Sequence, residues 1–94
     1  MKNSIMSYLE KKNWKVDNQK KEAFKIFTFD NFKDAFSWMT EISIVAEAFN
    51  HHPEWKNIYN KVDVLLTTHD EGKITNKDYE LAKKMDMTFE KYKA

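Results

Sequence analysis

Residues 47–60 read EAFNHHPEWKNIYN, and the change of period inside this stretch decides the fold. Upstream, Ile42, Ala46 and Phe49 keep a helical spacing, so Glu47 rides on the last turns of a helix. Downstream, from Asn57, the period becomes two. Ile58, Val62, Val64 and Leu66 alternate with Tyr59, Lys61, Asp63 and Thr67, which marks a half-buried strand with Leu65 as the one apolar exception on its polar side. Between the two stands Pro53, which fixes its own φ, lacks an N–H and pushes the preceding residue out of helical space. The helix is therefore expected to stop at His51 or His52, leaving two imidazoles at an exposed terminus. Glu47 lies four residues before His51, so the two share a helix face and can touch. The third histidine, His69, ends the next apolar run. Three histidines, all at element ends, read as a site.

The elements on either side follow from the same rules. Ser4 to Lys12 reads as a short helix with Ser4 as its cap and Ile5, Tyr8 and Leu9 on one side. Trp14 and Val16 suggest a short strand, and Asp17 to Glu22 a polar turn. Ala23 to Phe29 alternates, with Phe24 and Ile26 on one face and Phe27 and Phe29 on the other. Such a strand buries most of both faces or gives one to an oligomer contact. Asp30 is a good N-cap for the central helix, and Asp34 suits its first turns. Phe32, Ala35, Phe36, Met39, Ile42, Ala46 and Phe49 then form one core stripe along it. Asp70 to Lys73 is a turn holding the only glycine. Thr75 and Asp78 have capping-box spacing, with Ile74 and Tyr79 placed for a hydrophobic staple. A last helix follows, turning Ala82, Met85, Phe89 and Tyr92 inward. The expected architecture is α+β: an antiparallel sheet of about four strands with three helices on one face, in the order α-β-β-α-β-β-α.

The totals narrow the chemistry. Ninety-four residues make one domain, residues 1–94, with aromatics at 15% to fill a core or an oligomer interface. With no cysteine there is no disulfide, thiol nucleophile or thiolate metal site, which suits a cytoplasmic protein. Met1 to Leu9 lacks the apolar core of a secretory signal, and no apolar run reaches membrane-spanning length. All 16 basic side chains are lysines, interspersed with 15 acids for a net charge of +1. The arginine forks of a sequence-reading nucleic-acid binder are missing, so that class is disfavoured.

The histidines and their surroundings resemble the pterin-4a-carbinolamine dehydratase family. That family's pattern sets an acid, three intervening positions and a His-His-Pro, then an aromatic five or six positions on, a histidine after nine more residues and an aspartate after at least eight. Glu47, His51, His52, Pro53, Tyr59, His69 and Asp78 meet every one. Phe29-Asp30-Asn31-Phe32, Ile58-Tyr59-Asn60-Lys61-Val62 and Thr67-Thr68-His69-Asp70 agree, and the likeness runs from about Trp14 to Met85. Asn50 departs from it, standing where an acid often precedes the histidine pair. The resemblance implies dehydration of a 4a-hydroxytetrahydropterin to the quinonoid dihydropterin, recycling the cofactor of aromatic amino-acid hydroxylases. It implies His51 and His69 as acid and base, and His52 chiefly as a pterin contact. Trp55, Tyr59 and Asp78 join the substrate-binding set, with no cofactor and no metal. It also implies a homodimer or homotetramer, the latter through helices.

The chemistry fits the residues. Removing the N5 proton and protonating a departing hydroxyl both suit imidazole, whose unperturbed pKa is about 6.5. Glu47 is placed to hold the tautomer of His51, as carboxylates behind working imidazoles do. Taken singly, the same residues have plainer readings. The histidine pair could complement the helix dipole, Glu47 could be a solvated acid and Tyr59 a packed strand aromatic. Trp55 could equally anchor the loop, while Asp78 reads as a cap that also braces the site. Two other functions compete: a tri-histidine zinc site, and a non-enzymatic binding module. Some animal members of the family serve in the latter way, as dimerisation cofactors of a homeodomain transcription factor.

Overall fold

The computed structural model describes residues 2–17, 19 and 21–93; Asn18 and Lys20 of the expected turn lie outside them. The elements are α1 (Lys2–Lys11), β1 (Lys15–Asp17), β2 (Glu22–Thr28), α2 (Phe32–Phe49), β3 (Glu54–Ile58), β4 (Lys61–Leu66) and α3 (Asn76–Phe89), with a short 3₁₀ turn at Glu90–Tyr92. All strand pairs are antiparallel and the sheet order is β1-β2-β4-β3. This is the expected α+β class. The helices cover one face, which presents Ala23 and Phe27 of β2, Trp55 of β3 and Val62, Val64 and Leu66 of β4. Phe24 and Ile26 point the other way and are 36% and 49% exposed, so β2 buries one face within the chain, not most of both.

Several boundaries move for local reasons. Ser4 lies inside α1 and does not cap it. Asn31, not Asp30, caps α2, its Oδ1 accepting from the Asp34 N–H at 2.8 Å. Beyond the end of β2 at Thr28, Phe29 is still tied to Asn60. The Phe29 N–H donates to the Asn60 carbonyl, and the Asn60 amide donates to the Phe29 carbonyl, each at 2.8 Å. The expected core stripe of α2 is also rotated. Ala35, Trp38, Ile42 and Ala46 are buried, whereas Phe32 and Phe36 are 48% and 55% exposed. Trp38 packs against Phe27 and Phe29 and donates its Nε1–H to the Met85 carbonyl, joining sheet, α2 and α3.

The region after Pro53 forms a hairpin of β3 and β4 around Tyr59 and Asn60. Tyr59 has φ 52°, a left-handed turn conformation, and is not a packed strand residue. Ile58 pairs with Lys61 across the turn, so it falls on the outer face, 65% exposed and opposite the side of Val62. A continuous strand would have put the two together. Asp70–Lys73 turns with Gly72 at φ 65°, and the capping box at Thr75 is present. Among the described residues no helix is long and apolar enough to cross a membrane.

Candidate active site

Two chain ends meet beside the N-terminus of α3. The first is the end of α2. Asn50 adopts φ 54° and ψ 41°, the left-handed C-cap position that asparagine tolerates, and its N–H returns to the carbonyls of Ala46 and Glu47. The helix therefore stops at Phe49, before proline is needed to break it. The second is the chain leaving β4 from the middle of the sheet, carrying Thr67, Thr68 and His69.

The turn at Asn50 swings His51 off the helix face it would have shared with Glu47. The imidazole enters the protein, leaving the residue 8% exposed, and its Nε2 lies 2.6 Å from Asp78 Oδ1. Asp78 is itself fully buried, and its Oδ2 accepts from the Thr75 N–H at 2.9 Å and the Thr68 hydroxyl at 2.8 Å. The capping carboxylate of α3 is thus also the partner of His51. As a carboxylate it has only acceptors, so it fixes His51 as the Nε2–H tautomer. Among the described residues His51 Nδ1 makes no hydrogen bond, yet no buried side-chain nitrogen or oxygen lacks a partner. Nδ1 is therefore open, with its lone pair available on the side away from Asp78.

His51, His52 and His69 line one hollow of about 240 Å³ with Asn50, Thr67, Thr68, Asp70 and Lys77. That is below the range of about 300–1,000 Å³ usual for drug-sized ligands, so the hollow suits a small one. Wider depressions near Trp14 and near Ser43 hold no histidine.

A family model described as pterin 4 alpha carbinolamine dehydratase matches residues 2–88. The chain belongs to this family. A protein of Roseobacter denitrificans named "Putative pterin-4-alpha-carbinolamine dehydratase" is 52% identical over 73 residues, covering 78% of this chain and 74% of its own length. One of the same name from Prochlorococcus marinus is 46% identical over 86 residues, 90% of this chain and 88% of the relative. Among solved structures, a transcriptional coactivator/pterin dehydratase from Brucella melitensis superposes with a TM-score of 0.84 at 36% identity, covering 92% of this chain and 89% of that one. A pterin dehydratase-like RuBisCO assembly factor of the alpha-carboxysome reaches 0.70 at 16% identity, covering 81% and 88%, and shares the fold.

Within this dehydratase-family fold the expected site residues divide. The three histidines share the hollow, and Asp78 stands directly behind one of them. Glu47 is displaced from its expected partner. It pairs with His52 instead, Oε1 to Nε2 at 3.1 Å, and both side chains are largely exposed. Trp55 lies in β3, packed against Trp38 with ring centroids 6.1 Å apart, and does not line the hollow. Tyr59 sits at the β3–β4 turn, also away from it. Thr68 and Lys77 line the hollow without having been singled out. The capping-box spacing from Thr75 to Asp78 was the signal that could have drawn attention to their neighbourhood. For the tri-histidine zinc reading, no group of three His, Cys, Asp or Glu side chains among the described residues is placed to hold a metal ion.

Proposed function

We propose that this chain dehydrates 4a-hydroxytetrahydropterins to quinonoid dihydropterins, with histidines as the proton-transfer groups. The supporting observation is the convergence of His51, His52 and His69 on one small hollow, with His51 braced by the buried Asp78. In the reaction the N5–H bond gives up its proton, its electrons form the N5=C4a double bond, and the C4a–O bond breaks as the hydroxyl leaves as water. One base and one acid suffice. His51 takes the N5 proton at Nδ1, because Asp78 holds the opposite nitrogen as N–H and faces the imidazolium that forms. His69, exposed at the rim and able to exchange protons with water, supplies the proton to the departing hydroxyl. His52 contacts the pterin ring.

In this reading residues 1–94 are one cytoplasmic dehydratase domain, working as a homodimer or homotetramer and recycling the pterin of an aromatic amino-acid hydroxylase. The test is stopped-flow dehydration of enzymatically generated 4a-hydroxytetrahydropterin. The wild-type protein should accelerate water loss, and His51→Ala should abolish most of that acceleration while circular dichroism stays native. Near-wild-type turnover by His51→Ala would remove His51 from the mechanism, and no acceleration by the wild type would end the dehydratase reading.

A further inference from the structure

Thr68 lines the hollow and is 6% exposed, yet its hydroxyl is turned inward. Its Oγ1 lies 2.8 Å from Asp78 Oδ2 and 2.7 Å from Thr75 Oγ1. A hydroxyl has one proton and a carboxylate has none to give, so the Thr68 proton goes to Asp78. The Thr75 hydroxyl must then donate to Thr68, while Thr75 Oγ1 accepts from the Lys77 N–H at 3.2 Å. The donors thus run in one direction, from the first turn of α3 through two hydroxyls to Oδ2.

With Oδ2 holding both the Thr75 N–H and the Thr68 O–H, the carboxyl plane is fixed and Oδ1 is left to face His51 Nε2. The neighbouring Thr67 does something different, giving its proton to the Lys21 carbonyl at 3.0 Å. Among the described residues lining the hollow, Thr68 alone contributes a hydroxyl to Asp78.

We propose that Thr68 is a positioning residue for the dehydration. Its hydroxyl fixes the plane of the Asp78 carboxylate, and through it the Nε2–H tautomer of His51, so that Nδ1 stays free toward the substrate. The inference rests on the dehydratase reading for its effect on turnover, but its effect on the His51 ring is measurable without substrate.

The experiment combines long-range ¹H–¹⁵N correlation spectra, which separate the two neutral imidazole tautomers, with turnover of Thr68→Val and Thr68→Ser. The wild-type His51 should be the Nε2–H form. Thr68→Val should admit the Nδ1–H form and lower kcat by about 10- to 100-fold, the usual cost of losing a group behind a working side chain. KM should change little, because the interaction is not with substrate. Thr68→Ser should restore both tautomer and kcat, which a role in filling space with a methyl group would not predict. A wild-type His51 in the Nδ1–H form, or a Thr68→Val protein with native tautomer and native kcat, would overturn the proposal. If Thr68→Val does not fold, Thr68→Ala, which also lacks the hydroxyl, is read by the same criteria. If the wild type shows no turnover, the dehydratase reading falls, and the tautomer spectra still judge the hold of Thr68 on His51.

Discussion

The decisive residue-level event is the left-handed turn at Asn50, which exchanges the partners of the two adjacent histidines. Sequence spacing pairs Glu47 with His51 only while the helix continues. Once Asn50 ends it, His51 turns to Asp78, 27 residues away, and His52 is left with Glu47. The importance of Asp78 to its helix was legible, because a threonine three residues earlier announces a capping box. Its bond to His51 was not, since nothing local encodes which ring a buried carboxylate meets. The two acids should therefore behave differently. In Asp78→Asn the amide oxygen can still accept from Thr75 and Thr68, but the NH₂ then faces His51 Nε2 and forces the opposite tautomer. Turnover should fall by about 100-fold or more, with stability lowered by no more than about 1–2 kcal/mol. Glu47→Gln removes one side of an exposed pair and should cost less than about 5-fold. Stopped-flow rates and urea midpoints of the two variants check this, and the reverse order would make Glu47 the proton-transfer group.

Among the elements, existence and type were legible, while phase and breaks were less so. The helix α2 carries apolar residues on more than one side, so its spacing fits two stripes. Ranking by bulk favours Phe32 and Phe36, whereas packing against the sheet selects Ala35, Trp38, Ile42 and Ala46. The alternation from Ile58 to Leu66 concealed a turn for a similar reason. Tyr59 and Asn60 do not advertise a hairpin as Asn-Gly would, and tyrosine is an unfavourable residue at φ 52°. That strain makes a prediction. Tyr59→Gly should keep or raise the urea midpoint, by up to about 1 kcal/mol in stability, and Tyr59→Val should lower it. Both should turn over substrate at the wild-type rate, because Tyr59 does not line the hollow. Impaired turnover in a stable Tyr59→Gly protein would return this residue to the substrate-binding set.

For the whole molecule, the element order was readable but the strand order was not, and the strand order builds the site. Placing β4 between β2 and β3 sends Thr67 to His69 out of the sheet's centre, toward the end of α2 and the start of α3. The 3₁₀ turn after α3 is fastened to α2 at Glu41. Lys91 Nζ lies 2.6 Å from Glu41 Oε1, and the Tyr92 hydroxyl donates to Oε2. The hydrogen bond from Lys91, and then that from Tyr92, hold the Glu41 carboxyl below its ordinary 4.5. The hydrogen bond to Glu41, and then burial, push the Tyr92 phenol from 10.0 up to about 12. The signs set two limits. A lowered carboxyl stabilises the fold above its ordinary value, and that contribution disappears as pH falls through its folded value. A raised phenol stabilises below 10.0, and the contribution disappears as pH rises through about 12. The clasp should thus contribute in full from about pH 4.5 to pH 10, and open only as pH falls through the lowered Glu41 value or rises through about 12. Amide exchange at Lys91, Tyr92 and Lys93, with phenolate absorbance followed in parallel, would show both openings. Glu41→Gln should lower the titration of the Tyr92 phenol toward its ordinary value and abolish the acid-side change. Unaltered titration and exchange in that variant would mean that Glu41 does not fasten the 3₁₀ turn.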